Sequence, residues 1–267
     1  MTEMGAELRA ALAAFAARSR VLIAVDFDGT LAPFVLDPMQ ARAVPGGLEA
    51  LRAAAASGGV SVAVVSGRDL ATLAALTGIG PRDGVTLVGS HGAQTNLDPA
   101  RNAGLLDQDA TARLSTVSGE LEAIKNRYPA VRLEHKPSAV ALHTRGVEPS
   151  VAAAATAATL QVGQRYPDVH VMPGKNVVEL SVLEANKGKA VVTLAQATSS
   201  QATLYLGDDV TDERAFAALD PASGDLTVKV GDGDSAAAHR VPDQRSVVEL
   251  LELFVDLRRA GQQPALG

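Results

Sequence analysis

Residues 21–31, VLIAVDFDGTL, constrain this chain more than any other stretch. An apolar, β-branched run from Val21 to Val25 stops at two carboxylates one residue apart, Asp26 and Asp28, followed by Gly29 and Thr30. An apolar run without polar alternation reads as a strand buried on both faces, as in a parallel sheet covered by helices. Its end then lies at the carboxyl edge of the sheet, where open α/β folds hold their ligands. In an extended segment, residues two apart point to the same side. Two acids crowded there repel each other unless a cation or a proton sits between them. The pair therefore points to a metal and a phosphate. An ordinary acidic turn is the competing reading, since Asp and Gly both favour turns.

The rest of the chain repeats the pattern of that first strand. Helical patterns over 6–18, 45–56 and 69–76 alternate with strand patterns over 21–25, 60–65 and 85–88. Pro45 stands near the start of the second helix and Gly58-Gly59 follow its end, the expected asymmetry. Such alternation is the signature of a parallel sheet with crossover helices. The middle differs: a helix at 109–127, strands at 131–135 and 139–144, a helix at 151–166, and strands at 169–172 and 177–182. The α/β alternation then resumes with helices at 189–197, 211–219 and 247–257 around strands at 203–206 and 226–230. The expected architecture is α/β: a Rossmann-like parallel-sheet core from residues 1–106 and 184–267, with an inserted α+β domain at 107–183.

Composition excludes several classes. A formal charge of −6 over 267 residues, with no Lys/Arg cluster, argues against a broad nucleic-acid surface. The chain has no cysteine, hence no disulfide and no thiolate metal site. No apolar run reaches the roughly 20 residues that a membrane helix needs. The first ten residues carry Glu3 and Glu7 and no long apolar stretch, unlike a signal peptide. A soluble, cytoplasmic monomer that binds neither nucleic acid nor membrane is the expectation.

The strand ends carry a set of polar groups. Asp26 and Asp28 follow the first strand and Ser66 the second; Asp208, Asp209 and Asp212 follow the first strand after the insertion; Lys187 lies near the return from the insertion, just before the helix at 189–197. Clustered oxygen ligands suit Mg²⁺. A carboxylate can accept a phosphoryl group, and a hydroxyl with an ammonium can hold its oxygens. Each residue also has a plainer reading. Ser66 suits a turn, Lys187 a solvated helix start, and Asp208 and Asp209 helix caps. Asp212 reads as loop support, Arg68 as structural with substrate within its reach, and His91 as a turn residue without a catalytic role.

Taken in order, these segments resemble the haloacid dehalogenase-like phosphatases. DFDGTL matches their first motif, Ser66 the second, Lys187 the third and GDDVTD (207–212) the fourth. The resemblance implies that Asp26 is the nucleophile and Asp28 the general acid/base. It implies that Asp26, the backbone carbonyl of Asp28 and Asp208 bind Mg²⁺, and that Ser66 and Lys187 hold the phosphate. The segments LEHKPSAVALHTR (133–145), PGKNVVEL (173–180) and NKGKA (186–190) further resemble the trehalose-6-phosphate phosphatases. That family grips its sugar with a Glu and a Lys two apart on one strand of the inserted cap and a Glu on a later strand. These positions match Glu134, Lys136 and Glu179; alternation along the strands puts the three on one polar face, which also suits a merely solvated sheet face. His135 stands where the family often has an acid. The expected function is Mg²⁺-dependent hydrolysis of trehalose 6-phosphate. A phosphatase of another sugar phosphate, such as mannosyl-3-phosphoglycerate, and a non-catalytic phosphosugar sensor are the alternatives.

Overall fold

In a computed structural model, residues 4–97, 108–136, 138–174, 176–182 and 186–262 are described. The chain divides into two compact units, Met1–Asp98 with Asn186–Gly267, and Pro99–Ala185. The junctions expected at 106/107 and 183/184 lie outside the described residues, as do Pro137 and Lys175 of the expected hairpin turns.

In the first unit, α1 (Ala6–Ala16) leads into β1 (Val21–Asp26), whose residues are all buried. There follow α2 (Gly47–Ala55), β2 (Val60–Val65), α3 (Leu70–Thr77), β3 (Val85–Gly89) and β4 (Gln94–Thr95). The second unit holds α4 (Gln108–Arg127), β5 (Arg132–Lys136), β6 (Ala139–His143), α5 (Pro149–Arg165), β7 (His170–Gly174) and β8 (Val177–Ser181). The first unit resumes with α6 (Lys187–Ala197), β9 (Ala202–Gly207), α7 (Glu213–Ala218), β10 (Leu226–Val230), β11 (His239–Val241) and α8 (Gln244–Gln262).

The strands of the first unit form one sheet in the order β11-β10-β9-β1-β2-β3-β4. All pairings are parallel except that of β4 with β3. Successive residues of β1 enter opposite layers. Val21, Ile23 and Val25 pack with Phe15, Leu51 and Phe254; Leu22 and Ala24 pack with Val191, Leu194, Tyr205 and Phe216. Both faces are buried, which is why the run shows no alternation. The chain leaves β1 towards β2 on one side and reaches β9 on the other, so β1 stands at the topological switch point. The register pairs Asp26 with Val65 and Val25 with Leu206. Ser66 and Asp208 therefore follow strand ends level with Asp26.

The second unit is an antiparallel sheet in the order β5-β6-β8-β7. Its apolar face, Val140, Leu142, Val178 and Leu180, packs with Val117 and Leu121 of α4 and Ala155 and Val162 of α5.

Several element boundaries differ from the sequence reading, each for a local reason. α6 starts at Lys187, two residues early, because the Asn186 side chain accepts the N–H groups of Gly188 and Lys189 at 2.9 and 3.3 Å. α5 starts at Pro149, where Glu148 accepts the N–H groups of Ser150 and Val151. α7 is shorter than expected because Asp209 closes a turn first, accepting from the N–H of Thr211 and of Asp212. β4 and β11 span two and three residues, too short for a periodic signal. Among the described residues, no helix is long and apolar enough to cross a membrane.

Candidate active site

The core of the site is an acidic cluster around one ammonium. Lys187 is 2 % exposed, and its Nζ donates to Asp26 Oδ1 at 2.8 Å and to Asp212 Oδ1 at 2.7 Å. Its place in the first turn of α6 is what brings it beside the end of β1. Asp212 is fully buried and its carboxylate is saturated. Oδ1 also accepts the Tyr205 hydroxyl at 2.7 Å, and Oδ2 accepts the N–H groups of Asp208 and Asp209 at 2.8 and 3.0 Å. The sequence reading of Asp212 as loop support matches these bonds.

Asp208 is held from the other side. Thr30 donates to its Oδ1 at 2.9 Å. Gly29, at φ 86°, lies so close that a Cβ there would stand 2.0 Å from Asp208 Oδ2. Only glycine meets both the dihedral and the approach. The buried Lys229 ammonium donates to the backbone carbonyls of Asp208 and Val230.

Burial pushes the Asp26 carboxyl well above the usual range; Lys187 opposes this, and the charges of Asp212 and Asp208 add to it. Burial also raises Asp208, against the Thr30 hydrogen bond. For Lys187 burial works the other way, but Asp26 and Asp212 outweigh it and hold the ammonium above its ordinary value. Asp209 is depressed: burial opposes, while bonds from Thr211 and the Lys187 charge prevail. One carboxylate oxygen from each of Asp26, Asp208 and Asp212 lies within 4.8 Å of the other two. The Asp212 oxygens are already occupied by donors, which leaves the close pair of Asp26 and Asp208 carboxylates. A hard divalent cation fits that acid pair as well as a proton does.

Asp28 lies beside this cluster, and Arg68 grips both of its oxygens, Nε to Oδ2 and Nη2 to Oδ1, each at 2.6 Å. The guanidinium also lies 5.8 Å from the Phe27 ring centroid. Ser66 is buried, and its Oγ accepts the Arg68 N–H at 3.1 Å. The first unit thus brings Asp26, Asp28, Ser66, Arg68, Lys187 and Asp208 to one edge of its sheet.

Glu134, Lys136 and Glu179 belong to the second unit and share one face of its sheet. The register aligns Glu134 with Ala141 and Ala141 with Glu179. Lys136 Nζ reaches Glu179 Oε2 at 2.5 Å, and His143 Nε2 lies 2.8 Å from Glu134 Oε2. His135 points to the other face and meets Glu122 of α4 at 3.1 Å.

Sequence reasoning assigned no role to Thr30, Tyr205, Lys229 or His143. Lys229 did carry a signal: a lysine inside the apolar run LTVKV must find a buried partner. Thr30 carried none, because its partner Asp208 lies far away in the chain; Tyr205 carried none, because its bond to Asp212 depends on how the chain turns back after β9.

The trehalose-phosphatase family matches this chain over residues 24–246. A trehalose-phosphate phosphatase of Mycobacterium bovis is 34 % identical over 221 residues, covering 80 % of this chain and 55 % of that protein. A trehalose-6-phosphate phosphatase of Escherichia coli is 31 % identical over 239 residues, covering 88 % and 87 %. The chain thus spans little more than half of the mycobacterial relative. The structure of an Aspergillus fumigatus trehalose-6-phosphate phosphatase superposes with a TM-score of 0.59 at 27 % identity, covering 93 % of this chain and 97 % of that one. With the family matched across most of its residues and an acidic cluster at the strand ends, this chain belongs to the trehalose-phosphatase family.

Proposed function

We propose that the chain hydrolyses trehalose 6-phosphate to trehalose and phosphate through an aspartyl-phosphate on Asp26. The observation that supports it best is the buried Asp26 carboxylate set between the Lys187 ammonium and the Asp208 carboxylate. Asp26, the backbone carbonyl of Asp28 and Asp208 are the groups that would hold Mg²⁺, which when bound offsets charge on the phosphoryl oxygens. Lys187 and the Ser66 hydroxyl orient the phosphoryl group for in-line attack by Asp26 and stabilise the charge that spreads over its oxygens. Asp28 protonates the departing sugar oxygen. It then takes a proton from the water that cleaves the acyl phosphate. Arg68 holds both Asp28 oxygens, so it must release one for that proton to move.

The second unit, as a cap, selects the sugar. On this reading Glu134, Lys136 and Glu179 bind its hydroxyls through charge-assisted hydrogen bonds. Two glutamates disfavour a substrate with its own carboxylate, such as mannosyl-3-phosphoglycerate. A non-catalytic sensor is disfavoured by the presence of Asp26, Asp28 and Asp208 together. The reading includes a monomeric, cytoplasmic enzyme; sedimentation tests the first attribute.

Phosphate release from a panel of sugar phosphates, with and without Mg²⁺, is the experiment. Trehalose 6-phosphate turnover well above the rest supports the proposal, and equal turnover across the panel overturns the sugar assignment. Asp26→Asn should abolish hydrolysis with the fold retained by circular dichroism; a near-normal rate would remove Asp26 as nucleophile.

A further inference from the structure

Ser90 and His91 both adopt left-handed backbone, φ 50° and 53°, although neither is glycine. Side-chain-bearing residues hold such conformations only where their surroundings impose them, and these cluster at functional sites. Here the surroundings are the phosphate-holding elements. The Ser90 N–H donates to the Arg68 carbonyl at 2.7 Å, and the His91 N–H to the Ser66 carbonyl at 2.9 Å. Gly92 follows at φ 112°, so close to α6 that a Cβ would stand 2.8 Å from that of Ala190 and 3.3 Å from the Asn186 carbonyl. The turn thus ties the Ser66–Arg68 loop to the helix start that carries Lys187.

The imidazole does not account for its own placement. Its Nδ1 is buried without a hydrogen-bond partner among the described residues. The ring lies against Gly67, where a Cβ would stand 2.5 Å from Cε1 and 2.6 Å from Nε2. The charges of Lys187, Asp209, Asp212 and Arg214 act on it, and burial together with the Lys187 charge holds its pKa below the ordinary value. A proton on Nδ1 would be a buried donor with nothing to receive it, so the neutral ring carries its N–H on Nε2. That donor lies on the Gly67 side of a partly exposed residue. A strained turn that presents an N–H to the phosphate loop, and spends it on no group among the described residues, is built for a ligand.

The geometry points to His91 as a substrate-binding residue, its Nε2–H donating to an oxygen of the phosphoryl group that Ser66 and Lys187 hold. The assignment rests on the phosphatase reading of the site but not on the identity of the sugar.

The test replaces His91 by residues that tolerate positive φ, His91→Asn and His91→Gly. Three quantities are compared with the wild type: inhibition by inorganic phosphate, KM for trehalose 6-phosphate and for p-nitrophenyl phosphate, and the melting temperature with and without Mg²⁺. We expect the phosphate inhibition constant and both KM values to rise at least tenfold, with the melting temperature and its Mg²⁺ response unchanged. Values within twofold of wild type in either folded variant would overturn the proposal. So would a rise matched by a fall in melting temperature and a lost Mg²⁺ response, which marks a purely structural residue. If the wild type fails to turn over trehalose 6-phosphate, the sugar assignment falls, while the phosphate and p-nitrophenyl phosphate comparisons still decide the role of His91.

Discussion

Lys229 shows how a single side chain can set the geometry of a site it does not enter. It lies in the middle of β10, among apolar neighbours, and reaches the Asp208 carbonyl from behind. With Asp212 holding the Asp208 and Asp209 N–H groups, this peptide is fastened on both sides. Lys229→Met keeps the volume but strands a buried carbonyl, an omission that costs about 1–3 kcal/mol. Urea denaturation should show a loss of that size, with a weakened response to Mg²⁺ because Asp208 loses its support. Asp26 and Asp208 set the pH dependence at the same scale. Burial raises both carboxyls, so they keep protons at a pH where ordinary carboxyls have lost them. Protons then compete with a cation for the same oxygens. Calorimetry should therefore show Mg²⁺ affinity falling as pH drops through these raised values, with proton release on binding.

Helix ends position the loops around the acidic cluster, and their caps can be tested one by one. Asn186 starts α6 and so fixes Lys187. Asp243, directly before α8, accepts both the N–H and the hydroxyl of Ser246 at 2.9 Å. α8 in turn holds the β1 loop, since Gln244 donates to the Gly29 carbonyl at 2.6 Å. Asp243→Ala should cost about 1 kcal/mol of stability at neutral pH, the usual worth of such a cap. The two Ser246 bonds hold the Asp243 carboxyl below its ordinary value. A depressed carboxyl contributes stability above its unfolded pKa and loses it as pH falls through the folded value. The gap between wild type and Asp243→Ala should accordingly close in acid; an unchanged gap would mean that the carboxylate is not the cap. In the second unit, β5 and β8 set Lys136 against Glu179 and leave Glu134 paired to His143. Glu134→Ala should raise KM for trehalose 6-phosphate far more than for p-nitrophenyl phosphate. Equal changes on both would detach that sheet face from sugar recognition.

For the whole molecule, two compact units mean that one melting transition is not assured. The acidic cluster belongs to one unit alone, so a bound cation stabilises that unit directly. At a hundredfold excess over its dissociation constant, a ligand adds about 2.7 kcal/mol, which raises the melting temperature by roughly 5–10 °C for a unit of this size. Mg²⁺ should produce such a shift in the corresponding transition, and EDTA should reverse it. Asp26→Asn should greatly reduce the shift; a full response in that variant would place the cation elsewhere.

Consecutive residues carried much of this protein in plain view. The β-branched run into Asp26, the alternation that makes a parallel sheet, and the polar residues Asp26, Ser66 and Asp208 that close strands, with Lys187 beside a helix start, are local patterns. Local patterns are legible because side-chain direction follows from covalent spacing along a strand or helix. Tertiary structure alone decided the partners: that Asp28 is gripped by Arg68, that Asp212 anchors Lys187, and that Lys229 serves Asp208. It also decided that Ser90 and His91 bend against the Ser66 loop. These pairings join residues distant in sequence, and strand order and register, not neighbourhood in the chain, determine which of many available partners each polar group meets.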